Sequence, residues 1–582
     1  MARTPLFSKL RRLLRTISSA PTPTVDPKAR LTHRRDLLKA AGFGVPTAVL
    51  AACGDDTEPP PGDEDPIVIV GAGIAGLHCA YRLKEAGVKA FVYEGQDRVG
   101  GRMWSAVGKF PAAPDQLCEI GGELIDTDHE TLHTLAAQLG LALDDRLTEE
   151  DAGFQRDTWY VNGVSVPEAT IIEQFTEVAP TMAADLEAAD SDEAAYATLD
   201  ATTLDAYLVA TVPPATYPEL HAVLQAAYRG EYGLENDQQS ALNLIYLIGS
   251  DDPDPFRIFG TSDERYHTHL GNESFPQGLA ALLDEDQIVL EHKLTKAADA
   301  GAGFELTFDG PDGEVTVKAS RIVFALPFTK LREVDLTGLT LSEEKREIID
   351  TLGYGTNAKV MLGFDTRVWR TDHDASGSLT TDLSIQQTWE TTVGQAGDHG
   401  ILTNFTGGQG GLDSGEGEPT DWAAMVLPDL ETVWPGTQAA FDGTAVRMHW
   451  PTFEWSKGSY ACYTPGQWSF FGLEGVREGM VHFCGEHTSQ DHQGYMEGGA
   501  ETGGLVAAEI LEDLDLSQPQ GLVDALGVKL LIPQACYRAD RTVRLSPFAR
   551  RRLARARVAE AMRRLADLEA EAARAHAHAA AP

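Results

Sequence analysis

Residues 67–76 read IVIVGAGIAG. Ile67 to Val70 is a four-residue apolar run rich in β-branched side chains, the composition of a short buried strand. Gly71, Gly73 and Gly76 follow at the spacing G-x-G-x-x-G, which predicts a tight turn into a helix opened by Ile74 and Ala75. Gly71 permits the turn, Gly73 lets the backbone approach a pyrophosphate, and Gly76 lets the helix pack on the strand. The first turn of that helix offers free amides and the positive end of its dipole to phosphate. A second apolar run, AFVYE, ends in Glu94, which is placed to accept hydrogen bonds from a ribose diol. Strand, turn, helix, strand and acid in this order predict an α/β, Rossmann-like dinucleotide-binding unit.

The chain has 582 residues, enough for two or three domains, and a formal charge of −41. The charge is uneven. Residues 1–53 carry 10 basic against 2 acidic residues, and residues 516–582 carry 12 against 6. The body, 54–515, is left with 25 basic and 80 acidic residues, a net of −55. Such a body repels nucleic acid and anionic lipid and attracts cationic small molecules; solubility in a salty medium explains it equally well. None of the six cysteines forms a C-x-x-C pair, so no zinc or redox motif is visible and no metal site is expected. Cys79 reads as a small core residue.

After Glu94 and Gly95 the chain runs on as QDRVGGRMWS. The pair Gly100 and Gly101 followed by Arg102 resembles the flavin amine oxidase family, in which the strand-ending acid leads into D-R-x-G-G-R. The resemblance implies FAD, with Arg102 presenting a planar fork to phosphate oxygens. Residues 482–510, HFCGEHTSQDHQGYMEGGAETGGLVAAEI, resemble the closing motif of the same family. This implies contacts of Gly485 and Glu486 with the ribityl chain and pyrophosphate, and of Met496 with the flavin pyrimidine. A helix starting near Gly494 would aim its amide end at a ring carbonyl. Leu294 matches the position whose backbone meets the adenine. Gly121, Gly122 and Glu123, in EIGGELID, match the loop beneath the isoalloxazine.

By the same resemblance, Tyr460 and Tyr495 correspond to two tyrosines that flank the flavin in monoamine oxidases. Facing rings attract an amine's positive end and orient the neutral amine. Lys359, in TNAKVMLGF, matches a lysine that holds a water beside the reactive flavin nitrogen. An inward ammonium on an apolar strand is costly to bury, and its implied role is activation of dioxygen or of the hydrolysing water. Two departures matter. Ser459 stands where covalent flavin enzymes carry cysteine, so noncovalent FAD is expected. Trp104 stands where L-amino-acid oxidases place a carboxylate-clamping arginine. The function expected is therefore oxidation of a primary or secondary amine to imine and aldehyde, with dioxygen as acceptor and hydrogen peroxide released. The alternatives are an L-amino-acid oxidase and a non-catalytic exported flavin-binding protein.

The expected organisation is an FAD-binding domain of the GR2 type assembled from residues 66–130, 270–338 and 440–515. An α+β substrate domain with a mixed sheet takes 131–269 and 339–439, with glycine-rich loops at 407–417. Residues 32–53, THRRDLLKAAGFGVPTAVLAAC, resemble a twin-arginine signal ending in a lipobox, which implies export and a lipid anchor on Cys53. Residues 54–65 read as a stiff acidic linker. Residues 516–582 read as a basic helical extension, for which docking on the acidic body, pairing in a homodimer and lying on anionic lipid stay open.

Overall fold

The structure is a computed structural model, and it describes residues 65–147 and 153–531. The export segment, Cys53, nearly all of the acidic linker and the basic extension beyond residue 531 lie outside the described residues.

Ile67–Val70 is the middle strand of a five-stranded parallel sheet. Its neighbours are Arg321–Phe324 and Ala90–Tyr93, and the edges are Val481–Phe483 and Ile288–Val289. Noncontiguous segments of the chain thus build one sheet. All four residues of the middle strand are buried: Ile67 and Ile69 share a core with Leu77 and Leu83 of the following helix, and Val68 and Val70 share one with Leu306 and Phe308. The strand turns at Gly71, whose φ of +109° suits glycine, into the helix Ile74–Glu85. A Cβ on Gly76 would stand 2.0 Å from the Gly71 carbonyl oxygen, so helix and turn are in direct backbone contact. The helix Met496–Asp513 crosses this first helix. A Cβ on Gly503 would lie 2.1 Å from the Ala75 carbonyl, so the segment 496–513 is pressed onto the first turn of the helix that follows the glycine turn.

A second sheet has seven strands in the order Phe441–His449, Ala358–Phe364, Gly400–Thr406, Gln387–Glu390, Ala375–Thr381, Gln155–Val161 and Val164–Ser165. It is mixed: Ala375–Thr381 pairs in parallel with Gln155–Val161, and the other pairings are antiparallel. Residues 441–449, read from the sequence as part of the cofactor domain, pair with Ala358–Phe364 instead. Nearly all of their residues are half-buried, without alternation, as befits an edge strand, which does not reveal its sheet. The glycine-rich stretch also differs from the loop expected, since Gly408–Asp413 forms a short helix. A small antiparallel sheet, Lys293–Ala300, Gly303–Gly310 and Gly313–Ala319, flanks the parallel one.

Helices Glu168–Ser191 and Pro218–Tyr232 belong to the segment read as largely helical. Their buried Phe175, Val178 and Leu224 share one apolar core with Val68, Ile322 and Phe483 of the parallel sheet. Each such side chain contributes about 1.5–3 kcal/mol when fully buried, so the two halves are held together by continuous packing. No described helix is long and apolar enough to cross a membrane.

Candidate active site

A cavity of about 1320 Å³ runs between the two sheets. Small-molecule sites usually occupy roughly 300–1000 Å³, so there is room for a dinucleotide and a second ligand. Of the residues singled out above, Gly71, Gly73, Ile74, Ala75, Glu94, Gly95, Gly100, Gly101 and Arg102 line it, with Gly121, Gly122, Glu123 and Leu294. Lys359, Tyr460, Gly485, Glu486, Tyr495 and Met496 complete the set. Gly76 lies beneath the wall, as its packing against Gly71 requires.

At one end the backbone is shaped for close approach. A Cβ on Gly73 would meet no atom within 4 Å, so the space before that backbone is open. Glu94 is 7% exposed; its carboxylate accepts from Ala72 N–H at 2.7 Å and from Gln96 N–H at 2.9 Å. Burial pushes this carboxyl up, and those hydrogen bonds oppose the shift. The Trp455 ring fills the place where a Cβ of Gly95 would be.

Arg102 and Glu486, each expected to serve the cofactor, meet one another. Arg102 Nη1 donates to Glu486 Oε1 at 2.8 Å and to the Ser459 carbonyl at 2.7 Å. Glu486 Oε2 accepts from Gly494 N–H at 2.9 Å. The pair therefore fixes the Gly494 turn, φ +92°, which delivers Tyr495 as N-cap of the helix Met496–Asp513.

In the middle, the loop 121–122 is clamped from two sides. A Cβ on Gly121 would lie 2.1 Å from the Arg102 carbonyl, and one on Gly122 would lie 2.7 Å from Met496 Cγ. Lys359 reaches this loop from the second sheet. It is 5% exposed, so its side chain points inward. Its ammonium donates to the carbonyls of Gly121 at 2.8 Å and Glu119 at 3.1 Å, and to Glu123 Oε2 at 2.9 Å. Three protons meet three acceptors, so a water beside this nitrogen must displace or share one of them. Trp389 lies 5.2 Å away, within cation–π range. Burial would raise the Glu123 carboxyl; Lys359, then Arg146, outweigh it and hold the group below the usual range. Glu123 is thus foremost the counter-ion of Lys359. Glu119 beside it is pushed up to about 8 by burial, against hydrogen bonds from Asn272 and Ser105.

At the far end Tyr460 and Tyr495 converge on Glu231. The Tyr460 hydroxyl donates to the Glu231 carbonyl at 2.6 Å, and the Tyr495 hydroxyl to the Glu231 carboxylate at 3.1 Å. Burial, then the charge of Glu231, pushes both phenols far above their ordinary value, so both stay neutral donors. Behind Tyr495 stands His129, ring centroids 5.5 Å apart. Asp128, His129 and His492 bring ligand-type atoms within 4.8 Å of one another. His129 Nδ1 accepts from Asp126 N–H at 3.0 Å, so in the neutral ring the proton sits on Nε2, and a protonated nitrogen is no metal ligand.

Sequence reasoning missed Glu231, Glu119 and the indoles of Trp389, Trp450 and Trp455, the last three and Glu231 lining the cavity. Glu231 is the last residue but one of the helix Pro218–Tyr232, which stops at the left-handed Gly233; a lone carboxylate on a helix carries no motif. Ser459 lines the cavity and donates to Asn357 Oδ1 at 2.6 Å. Among the described residues no cysteine lines it, and Cys462 is buried against Asn243. Trp104 lies under the Arg98 guanidinium, 3.9 Å from its centroid.

The family model of flavin-containing amine oxidoreductases matches residues 74–511. The chain belongs to that family: it is an FAD-dependent amine oxidoreductase. It is similar to an L-amino-acid oxidase of Siganus canaliculatus, 24% identical over 73% of this chain and 81% of that protein. It is also similar to a putrescine oxidase of Kocuria rosea, 25% identical over 77% and 95% respectively. Among solved structures, the cyclohexylamine oxidase of Brevibacterium oxydans superposes with a TM-score of 0.66 at 22% identity, over 78% of this chain and 99% of that one. The fold and the cofactor therefore agree with the reading of the glycine turn, and the open backbone at Gly73, the held carboxylate of Glu94 and the length of the cavity fit FAD.

Proposed function

We propose that the protein oxidises a small primary or secondary amine, carried into the cavity as a cation, to an imine that water converts to an aldehyde and ammonia, or to an aldehyde and a primary amine when the substrate is secondary. Dioxygen is the acceptor and leaves as hydrogen peroxide. For a primary amine the balance is amine, dioxygen and water in, and aldehyde, ammonia and hydrogen peroxide out. The observation that carries this reading is the single cavity that joins the glycine turn to Tyr460 and Tyr495. Bound FAD supplies the two-electron acceptor for the amine's α-carbon hydrogen.

The chain's own residues do the rest. The turn 71–76 and Glu94 hold the nucleotide end, with Leu294 toward adenine, and Arg102, whose Nη1 is held by Glu486 and the Ser459 carbonyl, offers its remaining N–H groups to phosphate. Gly121, Gly122 and Met496 pack the ring end, and Tyr460 and Tyr495 align the amine. Lys359 polarises the space beside Gly121, where dioxygen or the hydrolysing water reacts. The flavin is held noncovalently, in keeping with Ser459 and with the cysteine-free cavity wall. An L-amino-acid substrate would need a cationic clamp. Arg156, whose Nη2 donates to the Asp263 carbonyl, and Arg257, paired with the exposed Asp251, line the cavity and would be the clamps to test for such a substrate.

Peroxide release from a panel of amines and L-amino acids tests the reading. Release with amines is expected; release with amino acids alone, or with neither, overturns it. Flavin precipitating with denatured protein would refute noncovalent binding. We further propose twin-arginine export with lipid attachment at Cys53, supported by the sequence of residues 32–53. An intact Met1 in a soluble cell fraction would refute the anchor.

A further inference from the structure

We propose that Glu231 positions the tyrosine pair and selects cationic substrates over carboxylate-bearing ones; this rests on the amine reading above. Two separate contacts lead to it. The Glu231 carbonyl holds the Tyr460 hydroxyl at 2.6 Å, and its carboxylate holds the Tyr495 hydroxyl at 3.1 Å. One residue therefore sets both ring orientations. Its place is fixed from below, at the end of the helix Pro218–Tyr232, whose cap N–H of Gly233 donates to the Arg229 carbonyl. Gly230, the residue before it, is packed against Gln387 so tightly that a Cβ would lie 2.2 Å from Oε1. The carboxylate thus stands on a rigid helix end in the cavity wall.

A negative charge beside two ring faces attracts an ammonium twice, by Coulomb force and by the ring quadrupoles. It repels an α-carboxylate by the same Coulomb force. The polarity of the residue at 231 thereby separates amines from amino acids without an arginine. Glu231→Gln keeps an acceptor for Tyr495 and removes the charge. Glu231→Leu removes both.

The test uses the FAD-loaded protein and two probes of similar shape, benzyltrimethylammonium and uncharged tert-butylbenzene, with binding read by calorimetry and by the shift of the flavin absorbance band. The parent is expected to bind the cation more tightly, with an affinity that weakens as salt rises. Glu231→Gln should lose at least tenfold for the cation, lose the salt dependence and leave the neutral probe within about twofold. Glu231→Leu should weaken both probes, because Tyr495 loses its acceptor and its ring is no longer held, while Tyr460 keeps the main-chain carbonyl of residue 231. In steady state Glu231→Gln should raise KM for amines more than it lowers kcat. Unchanged cation affinity and salt dependence in Glu231→Gln would overturn the proposal. A parent that binds the cation by way of Glu231 yet releases no peroxide from any amine would sink the proposed reaction and leave the role of Glu231 standing.

Discussion

Lys359→Met removes an ammonium whose three protons are committed to Gly121, Glu119 and Glu123. Two buried carbonyls lose a donor, and a buried carboxylate loses its counter-ion. Breaking a buried pair from one side costs about 3–5 kcal/mol. Glu123 can escape by taking a proton. At pH 7 that costs roughly 3 kcal/mol, from an ordinary carboxylate near 4.5 and about 1.36 kcal/mol per unit. The lost donors add to this, so a total of about 4–6 kcal/mol is expected, a large part of an ordinary domain's stability. The sign of the pH dependence is the signature. In the parent, Glu123 sits below its unfolded value, so its contribution is present above about pH 4.5 and is lost as pH falls through the folded value. In the variant the carboxyl moves above its unfolded value, so its penalty grows as pH rises. Urea unfolding should therefore show a gap between parent and variant about 2–3 kcal/mol smaller at pH 5 than at pH 7. The double variant Lys359→Met/Glu123→Gln should regain about 3 kcal/mol at pH 7. Equal gaps at both pH values, or a double variant no better than the single one, would refute this account of the site. Stopped-flow reoxidation of the folded fraction then reports the oxygen role of Lys359, and a rate equal to the parent's excludes it.

Glu119 is held protonated to about pH 8 by burial, so the folded state keeps a proton that the unfolded chain has lost. Stability should fall from about pH 4.5 to about pH 8 and flatten above, and Glu119→Gln should remove most of that slope in denaturant titrations at pH 5 and pH 8. Replacing Gly76 by valine drives side-chain carbon into the Gly71 carbonyl, which an added Cβ would already approach to 2.0 Å. The purified variant should be colourless and take up no added flavin, and a yellow, fully loaded variant would show that the turn tolerates separation. Tyr460→Leu with Tyr495→Leu should cut turnover by at least a hundredfold while flavin retention changes less than threefold; unchanged turnover would remove the aromatic cage.

Residues 67–94 were legible because their chemistry is local. A four-residue apolar strand, glycines at fixed offsets and an acid after the next strand are demanded by a phosphate-binding turn whatever surrounds it, and the structure forms those elements there. The resemblance at 100–102 and 482–510 extended the reading to the cavity wall. Several facts needed the tertiary structure. That the strand 441–449 joins the second sheet depends on a partner 77 to 91 residues earlier in the chain. That Lys359 is neutralised by Glu123 and two carbonyls depends on a loop more than two hundred residues earlier in the chain. That Arg102 and Glu486 spend charge on one another, and that Glu231 stands under both tyrosines, are pairings across three segments. A sequence records which groups a chain owns and how the backbone must turn next to them. Which buried charge faces which is settled only when distant segments exclude water from the same space, because there an ion must find its partner or change its protonation.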